Sequence, residues 1–207
     1  LSFSTGTPGF PRSEREEEYL AIPSPAEAVQ QFELEEGFRI EAWATEEIFP
    51  IANPVDMKFD DEGRLWVLCS PSWPHPWPGQ VTDDYLLVIE DVDKDHVPDR
   101  SWVFARGLRL PRSLELVDGG AIISEPRSLQ LYRDTDGDGV ADVRRPILRG
   151  LGTAHIQHSP SVQGRAESGE LMITQGADTQ SHLETAIGPV EIHGSALISM
   201  DGLDPAR

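Results

Sequence analysis

The sequence repeats itself with an offset of 43 residues. An acidic loop that begins at Asp91 recurs at Asp134, and the tripeptide Arg-Gly-Leu at 106–108 recurs at 149–151. Each repeat also contains short segments in which apolar and polar residues alternate, as they do in strands of a half-buried sheet. Four short strands in a repeat of about 40 to 50 residues are typical of β-propeller blades. We therefore predict an all-β chain, a partial β-propeller of four-stranded antiparallel sheets.

The 207 residues provide for about two and a half such blades. The blade units are expected at about 38–108, 109–151 and 152–207, with the alternation starting at Phe38–Trp43 and the third unit incomplete at Arg207. Before them, 1–23 reads as an extended lead-in. Ser24-Pro25-Ala26-Glu27 is a capping-box pattern that predicts a short N-terminal helix to about Phe32.

The second acidic loop has the composition of a calcium site. Its carboxylates and one backbone carbonyl fall at positions 1, 3, 5, 9 and 7 of an EF-hand-like loop: Asp134, Asp136, Asp138, Asp142 and the carbonyl of Val140. Gly139 supplies the sharp turn, but Arg145 stands where an EF-hand has its bidentate glutamate, and the flanks read as strands. We predict a calcium-binding hairpin turn; the alternative is a metal-free Asp/Gly-rich tip.

The first acidic loop keeps the same spacing of oxygen ligands. They are Asp91, Asp93, Asp95, Asp99 and the carbonyl of Val97. However, Lys94 and His96 replace the two glycines of the second loop. A side chain at the sixth position strains a turn with positive φ, and a lysine places like charge beside the ion. The sequence leaves open whether this loop binds calcium.

Composition restricts partners and location. With 36 acidic and 17 basic residues the net charge is −19, which argues against nucleic acid as a partner. No run of 18 apolar residues predicts a transmembrane segment. Calcium loops of this type suit millimolar calcium, so we expect an extracytoplasmic location, periplasmic or secreted, with any membrane association made through parts outside this chain. Because the chain opens on Leu1, we expect a processed or truncated piece of a longer protein.

Several motifs together resemble a known family, the membrane-bound dehydrogenases of planctomycetes and verrucomicrobia. The resemblance is to their N-terminal β-propeller and extends from about Ser24 to the end of the chain. These dehydrogenases are similar to glucose/sorbosone dehydrogenases, and many carry a haem c domain downstream. The motifs lie at 24–28, 32–38, 54–67, 87–91, 119–120, 134–142, 182–185 and 188–190.

The resemblance implies an extracytoplasmic propeller portion of a sugar or polyol dehydrogenase. Its cofactor would be a quinone such as PQQ, with electrons passing to a downstream haem domain or another acceptor, and the ligands of PQQ and haem c would lie outside this chain. His158 matches the proton-abstracting histidine of the soluble sugar dehydrogenases. Two departures, His155-Ile-Gln-His158 for Asp-x-His-His and 165–169 for a Trp-Gly-Pro-Asp-Gly turn, put that role in doubt.

Other interpretations stay open. The first is a calcium-stabilised binding or scaffold module without catalysis, and a weaker one is a lactonase-like hydrolase. His155 and His158 could hold a metal with His182 or His193, and His158 could be an ordinary structural histidine. The Pro- and Trp-rich segment 72–78 could stack on carbohydrate or form a rigid lid.

Overall fold

The computed structural model describes residues 23–201 apart from 75, 77, 78, 80 and 155. Nearly all of the expected lead-in therefore lies outside the described residues. The chain forms two compact units, Leu1–Ala42 and Trp43–Arg207, which are described separately. In the part of the chain that the structure describes, no helix has the length and apolarity needed to cross a membrane.

The first unit contains one short helix, α1, Pro25–Val29. The predicted capping box is confirmed: Ser24 Oγ accepts from Glu27 N at 3.3 Å, and Glu27 Oε2 accepts from Ser24 N at 2.8 Å. The helix is shorter than predicted and has no buried residue, so no apolar face extends it to Phe32, whose side chain is exposed.

The alternating segment 38–43 does not form a strand, contrary to expectation. Phe38 is 75% exposed and Ile40 36%. Among the described residues, sheet pairing begins only at Pro54. Alternation predicts a strand only where a neighbouring strand satisfies its backbone groups, and this segment is not part of any described sheet.

The second unit consists of strands. Two sheets of four antiparallel strands each run in sequence order, β1-β2-β3-β4 and β5-β6-β7-β8. Their bounds are β1 Pro54–Phe59, β2 Leu65–Cys69, β3 Asp84–Glu90, β4 Arg100–Leu108, β5 Leu114–Val117, β6 Gly120–Glu125, β7 Ser128–Arg133 and β8 Val143–Arg149. These sheets are called blade 1 and blade 2.

A third sheet has fewer strands in the described part of the chain. It has three strands in the order β13-β10-β9, with β9 Ser161–Arg165, β10 Leu171–Gln175 and β13 Ala196–Met200. Between β10 and β13 the chain forms a separate two-stranded hairpin, β11 Gln180–Thr185 and β12 Gly188–His193. The first strands of successive sheets are neighbours: β1 contacts β5, and β5 contacts β9. The predicted all-β fold, a partial propeller of four-stranded antiparallel sheets, is confirmed.

Two apolar cores lie between the sheets. The first joins blade 1 to one face of blade 2, and the second joins the other face of blade 2 to the third sheet. Neighbouring residues of β6 therefore face different cores: Ala121 and Ile123 lie in the first, and Ile122 lies in the second. Because side chains alternate across a strand, a strand covered on both faces needs a continuous apolar run rather than an alternating one.

The antiparallel order places the chain connections at two opposite ends of the blades. The turns β1–β2 and β5–β6 and the acidic loops after β3 and β7 share one end, here called the acidic-loop end. The connections β2–β3, β4–β5 and β8–β9 lie at the other end. His158 follows β8 in a short 3₁₀ helix, Ile156–His158, so it lies at the end opposite to the acidic loops.

Candidate cation-binding site

Two acidic loops occupy equivalent places in blades 1 and 2. Loop 1, residues 91–99, joins β3 to β4, and loop 2, residues 134–142, joins β7 to β8. Both are closed by the same backbone hydrogen bond. Asp99 N donates to Glu90 O at 2.8 Å, and Asp142 N donates to Arg133 O at 3.0 Å.

The carboxylates of the two loops accept hydrogen bonds from equivalent backbone N–H groups. In each loop the first aspartate accepts from the sixth residue, the third residue from the fifth, and the fifth from the seventh. In loop 1 the bonds are His96 N to Asp91 Oδ2 (2.9 Å), Asp95 N to Asp93 Oδ1 (3.2 Å) and Val97 N to Asp95 Oδ1 (2.8 Å). In loop 2 they are Gly139 N to Asp134 Oδ2 (2.8 Å), Asp138 N to Asp136 Oδ1 (3.3 Å) and Val140 N to Asp138 Oδ1 (2.8 Å). The 43-residue repeat therefore extends to hydrogen bonding.

In loop 2 the carboxylate oxygens of Asp134, Asp136 and Asp138 lie within 4.8 Å of one another. The carboxylate of Asp142 is not in that group, and it accepts from Thr135 N at 3.2 Å and Thr135 Oγ1 at 2.6 Å. The backbone N–H of Gly139, together with those of Gly137 and Asp136, lowers the pKa of Asp134. These hydrogen bonds favour the charged form of the Asp134 carboxylate.

In loop 1 the oxygens of Asp91, Asp93 and Asp99 lie within 4.8 Å of one another, and Asp95 is outside the group. Asp91 is only 8% exposed. Its Oδ2 accepts from His96 N, but its Oδ1 is buried with no hydrogen-bond partner. A buried acceptor without a partner costs about 1–3 kcal/mol. A cation shared with Asp93 and Asp99 would supply the missing partner.

The two non-glycine residues of loop 1 adopt the backbone of the glycines that they replace. Lys94 has φ of 62° and His96 has φ of 74°, against 80° for Gly137 and 87° for Gly139. The strain that the sequence predicts at His96 is therefore present. The Lys94 ammonium, however, donates to Glu62 O at 2.7 Å. The positive charge expected to oppose the ion is therefore held by a hydrogen bond to the β1–β2 turn.

Loop 2 belongs to blade 2 but is bound to β4 of blade 1. Trp102 Nε1 donates to Gly139 O at 2.8 Å, and Ala141 N donates to Phe104 O at 2.7 Å. A Cβ at Gly139 would lie 3.2 Å from Trp102 Nε1. Gly139 is thus needed for its positive φ and for close contact with the neighbouring blade. The composition of loop 2 predicted the first requirement and gave no sign of the second.

A cavity of about 680 Å³ opens between blades 1 and 2 at the acidic-loop end. The aromatic part of its lining comes from Phe59, Trp66, Trp102 and Phe104. Its acidic part comes from the turns 60–62 and 118–119 and from Asp134. Sequence reasoning did not find this cavity, because its walls come from strands and turns that are far apart in the chain.

The imidazole of His158 is oriented by a backbone carbonyl. Its Nδ1 lies 2.9 Å from Ala177 O, and since a carbonyl only accepts, Nδ1 donates this hydrogen bond. The carbonyl of His158 accepts from Gly176 N at 3.0 Å and Thr179 Oγ1 at 3.1 Å. These contacts fix the position of His158 beside the segment 176–179.

The structure does not describe the whole histidine metal set suggested by the sequence. Among the described residues, the groups of three close metal-ligating side chains are the two acidic ones, and His155 lies outside the described part of the chain.

The segment 72–78 is held by two side-chain contacts. The Arg112 guanidinium lies over the Trp73 ring, 4.6 Å from the centroid of that ring, and Ser72 Oγ donates to the buried Asp84. These contacts favour a rigid lid; 75, 77 and 78 lie outside the description.

Comparisons with known proteins give one family. The model of a family described as Domain of unknown function (DUF7133) matches residues 24–197. A search of curated proteins gave no significant match, and a search of solved structures gave none either.

Proposed function

The chain belongs to the DUF7133 family, and we propose that it is a β-propeller module stabilised by calcium in loops 1 and 2. The observation that carries the proposal is the buried Asp91 Oδ1, which has no hydrogen-bond partner and belongs to a residue grouped with Asp93 and Asp99. An acceptor in that position is stabilised by a cation and destabilised without one.

Calcium suits these loops better than magnesium does. Calcium accepts six to eight oxygen ligands in flexible geometry, whereas magnesium demands a near-ideal octahedron and keeps its waters. Carboxylates at alternate positions, completed by the Val97 and Val140 carbonyls at the seventh position, supply an irregular set of this kind. Weak loops of this type fill at millimolar calcium, which supports an extracytoplasmic location.

An ion in loop 2 would also act on the contact between the blades. The loop is bound to β4 through Gly139 and Ala141, so ordering the loop orders the acceptor and the donor of these bonds. The module would then serve as a stiff scaffold or binding platform, with the cavity between blades 1 and 2 next to the ion.

Thermal unfolding with and without calcium tests the proposal. Calcium should raise the melting temperature, because a ligand that binds only the folded chain stabilises it. Asp91→Asn should remove the part of the gain due to loop 1, and Asp136→Ala the part due to loop 2. Asp178→Asn, an exposed position with φ of 59° outside both loops, is the matched control. An unchanged melting temperature for the parent chain in millimolar calcium would refute the proposal.

A second candidate function is the N-terminal propeller portion of an extracytoplasmic sugar or polyol dehydrogenase that passes electrons to a quinone or haem. The observation that favours it is the Nδ1–Ala177 O hydrogen bond, which fixes the orientation of the His158 imidazole, the group that resembles the proton-abstracting histidine. The residues of this chain do not fit haem c attachment, since its single cysteine, Cys69, is fully buried in β2. PQQ and haem would be held by other parts of the protein.

Dye-linked oxidation of aldoses in the presence of PQQ tests this second candidate. We expect no turnover by this chain alone and turnover once further blades are present, with loss of activity in His158→Ala. A longer protein whose activity is unaffected by His158→Ala would exclude this role for the histidine.

A further inference from the structure

The β11–β12 hairpin has two chemically different faces. On one face the buried Leu183 and the partly buried Val190 and Ile192 pack into the second apolar core. On the other face His182, Glu191 and His193 are all more than half exposed. Because side chains alternate along both strands, the apolar face fixes which residues point to solvent.

The hairpin is also anchored through its backbone and through polar groups. His182 N donates to Gly150 O at 2.8 Å, and the Gln175 amide donates to Thr179 O and Gly194 O, on the two sides of the hairpin base, at 3.1 and 2.8 Å. Ser181 Oγ donates to Gln175 Oε1 at 2.5 Å. The exposed face is therefore presented on a well-supported platform.

Two imidazoles on that face converge on the carboxylate of Glu191. His182 is directly opposite Glu191 in the strand register, with Nδ1 at 3.4 Å from Oε1. His193, two residues along β12, places Nε2 at 3.5 Å from Oε2. The two imidazole rings are edge to face with centroids 6.5 Å apart.

We propose that His182, Glu191 and His193 form a binding site for Zn²⁺. Two imidazoles and one carboxylate are a ligand set that zinc prefers, and calcium does not favour nitrogen ligands. Ligand atoms about 2.1 Å from a tetrahedral ion lie roughly 3.4 Å apart, and each imidazole nitrogen is at about that distance from one of the two oxygens of Glu191. As the side chains stand, the three residues do not bring one ligand atom each within 4.8 Å of one another, so zinc binding requires the exposed imidazoles to rotate about their side-chain torsions.

Three protein ligands leave one position of a tetrahedral zinc ion open. That position takes water in the isolated chain, and an imidazole, carboxylate or thiolate donor of another molecule can replace the water. The site is independent of the calcium loops, which use carboxylate oxygens alone and lie in other sheets. A zinc ion bound there would link β11 to β12 on the exposed face of the hairpin, and it would not contact blade 1 or blade 2.

Calorimetric titration of ZnCl₂ into the chain, in excess calcium to saturate loops 1 and 2, tests the proposal. We expect one zinc ion per chain. His182→Ala and His193→Ala should each weaken zinc binding at least about tenfold, and Glu191→Gln should weaken it by a smaller factor. Glu184→Gln is the matched control, because it makes the same chemical change at an exposed position of β11.

The outcomes separate this site from the proposed function. Loss of zinc binding in the histidine variants, with an unchanged calcium response, supports the site. Absence of zinc binding by the parent chain, or parental affinity in the His182→Ala/His193→Ala double variant, overturns it whatever the calcium loops do. Thermal unfolding of each variant verifies that the fold is retained, which the exposure of all three side chains favours.

Discussion

The indole Nε1 of Trp102 donates a hydrogen bond to the backbone carbonyl of Gly139 at 2.8 Å. The donor lies on β4 of blade 1 and the acceptor lies in loop 2 of blade 2. The acidic loop of one blade is thus braced by the outer strand of the blade before it, and Ala141 N donating to Phe104 O adds a second bond across the same boundary.

Replacing Trp102 with Phe keeps an aromatic ring and removes the indole donor. The Gly139 carbonyl then loses its partner at a partly buried position, so we expect unfolding in urea to require about 1 kcal/mol less free energy. The calcium-dependent gain should also fall. Trp43→Phe is a control, because that indole packs edge-on against Phe59 at 6.0 Å. A calcium response in Trp102→Phe equal to the parent's would show that the brace does not act on loop 2.

The two loops should respond in opposite ways to changes at their sixth position. Gly139→Ala adds a Cβ 3.2 Å from Trp102 Nε1 at φ of 87°, and we expect a loss of about 1–3 kcal/mol. His96→Gly relieves a positive φ of 74°, and we expect a gain of up to about 1 kcal/mol, reduced by the greater freedom of glycine in the unfolded chain. Urea denaturation without calcium measures both. Equal signs for the two changes would contradict the account of the turn.

Gly150 lies against the hairpin that carries the proposed zinc site. A Cβ there would come far inside contact distance of the His182 carbonyl oxygen, and φ is 88°. We expect Gly150→Ala to cost more than about 3 kcal/mol, since backbone rather than a flexible side chain must shift. Gly169→Ala has a similar φ of 98° with nothing within 4 Å and should cost only about 1 kcal/mol. Thermal unfolding of the pair separates the steric cost from the torsional cost.

The Asp60 carboxylate accepts hydrogen bonds from Arg64 and from the Trp66 indole at the β1–β2 turn. The free energy of unfolding should therefore depend on the ionisation of Asp60 in acid. Partial burial opposes its ionisation, but hydrogen bonds from the Trp66 indole and from Arg64 outweigh burial and lower its pKa below 3.8. The unfolded chain then binds this proton more readily, so the stabilisation is complete above pH 3.8 and is lost as the pH falls through the folded pKa. The stability difference between the parent and Asp60→Asn should shrink in that range. A difference that stays constant with pH would refute this role.

The parts of the fold that depend on local patterns could be predicted from the sequence. The repeat gave the four-stranded sheets, the third sheet and the equivalence of the two loops, and Ser24 with Glu27 gave the helix start. The strand predicted at Phe38–Trp43 was wrong, because alternation alone does not create a partner strand.

Contacts between distant segments could not be predicted in the same way. The burial of Asp91, the contact of Lys94 with Glu62 O, and the brace on Gly139 all depend on which blades are neighbours. The convergence of His182 and His193 on Glu191 requires the register of the hairpin, which the buried Leu183 fixes. Because these relations join residues far apart in the chain or set the pairing of two strands, no single-segment pattern reports them.

Direct measurement of calcium binding by isothermal titration calorimetry tests the central claim most closely. We predict two calcium ions per chain, one lost in Asp91→Asn and the other in Asp136→Ala, with no change in Asp178→Asn. A parent chain that takes up no calcium at millimolar concentrations, or whose binding survives both substitutions together, would contradict the claim that loops 1 and 2 are calcium sites.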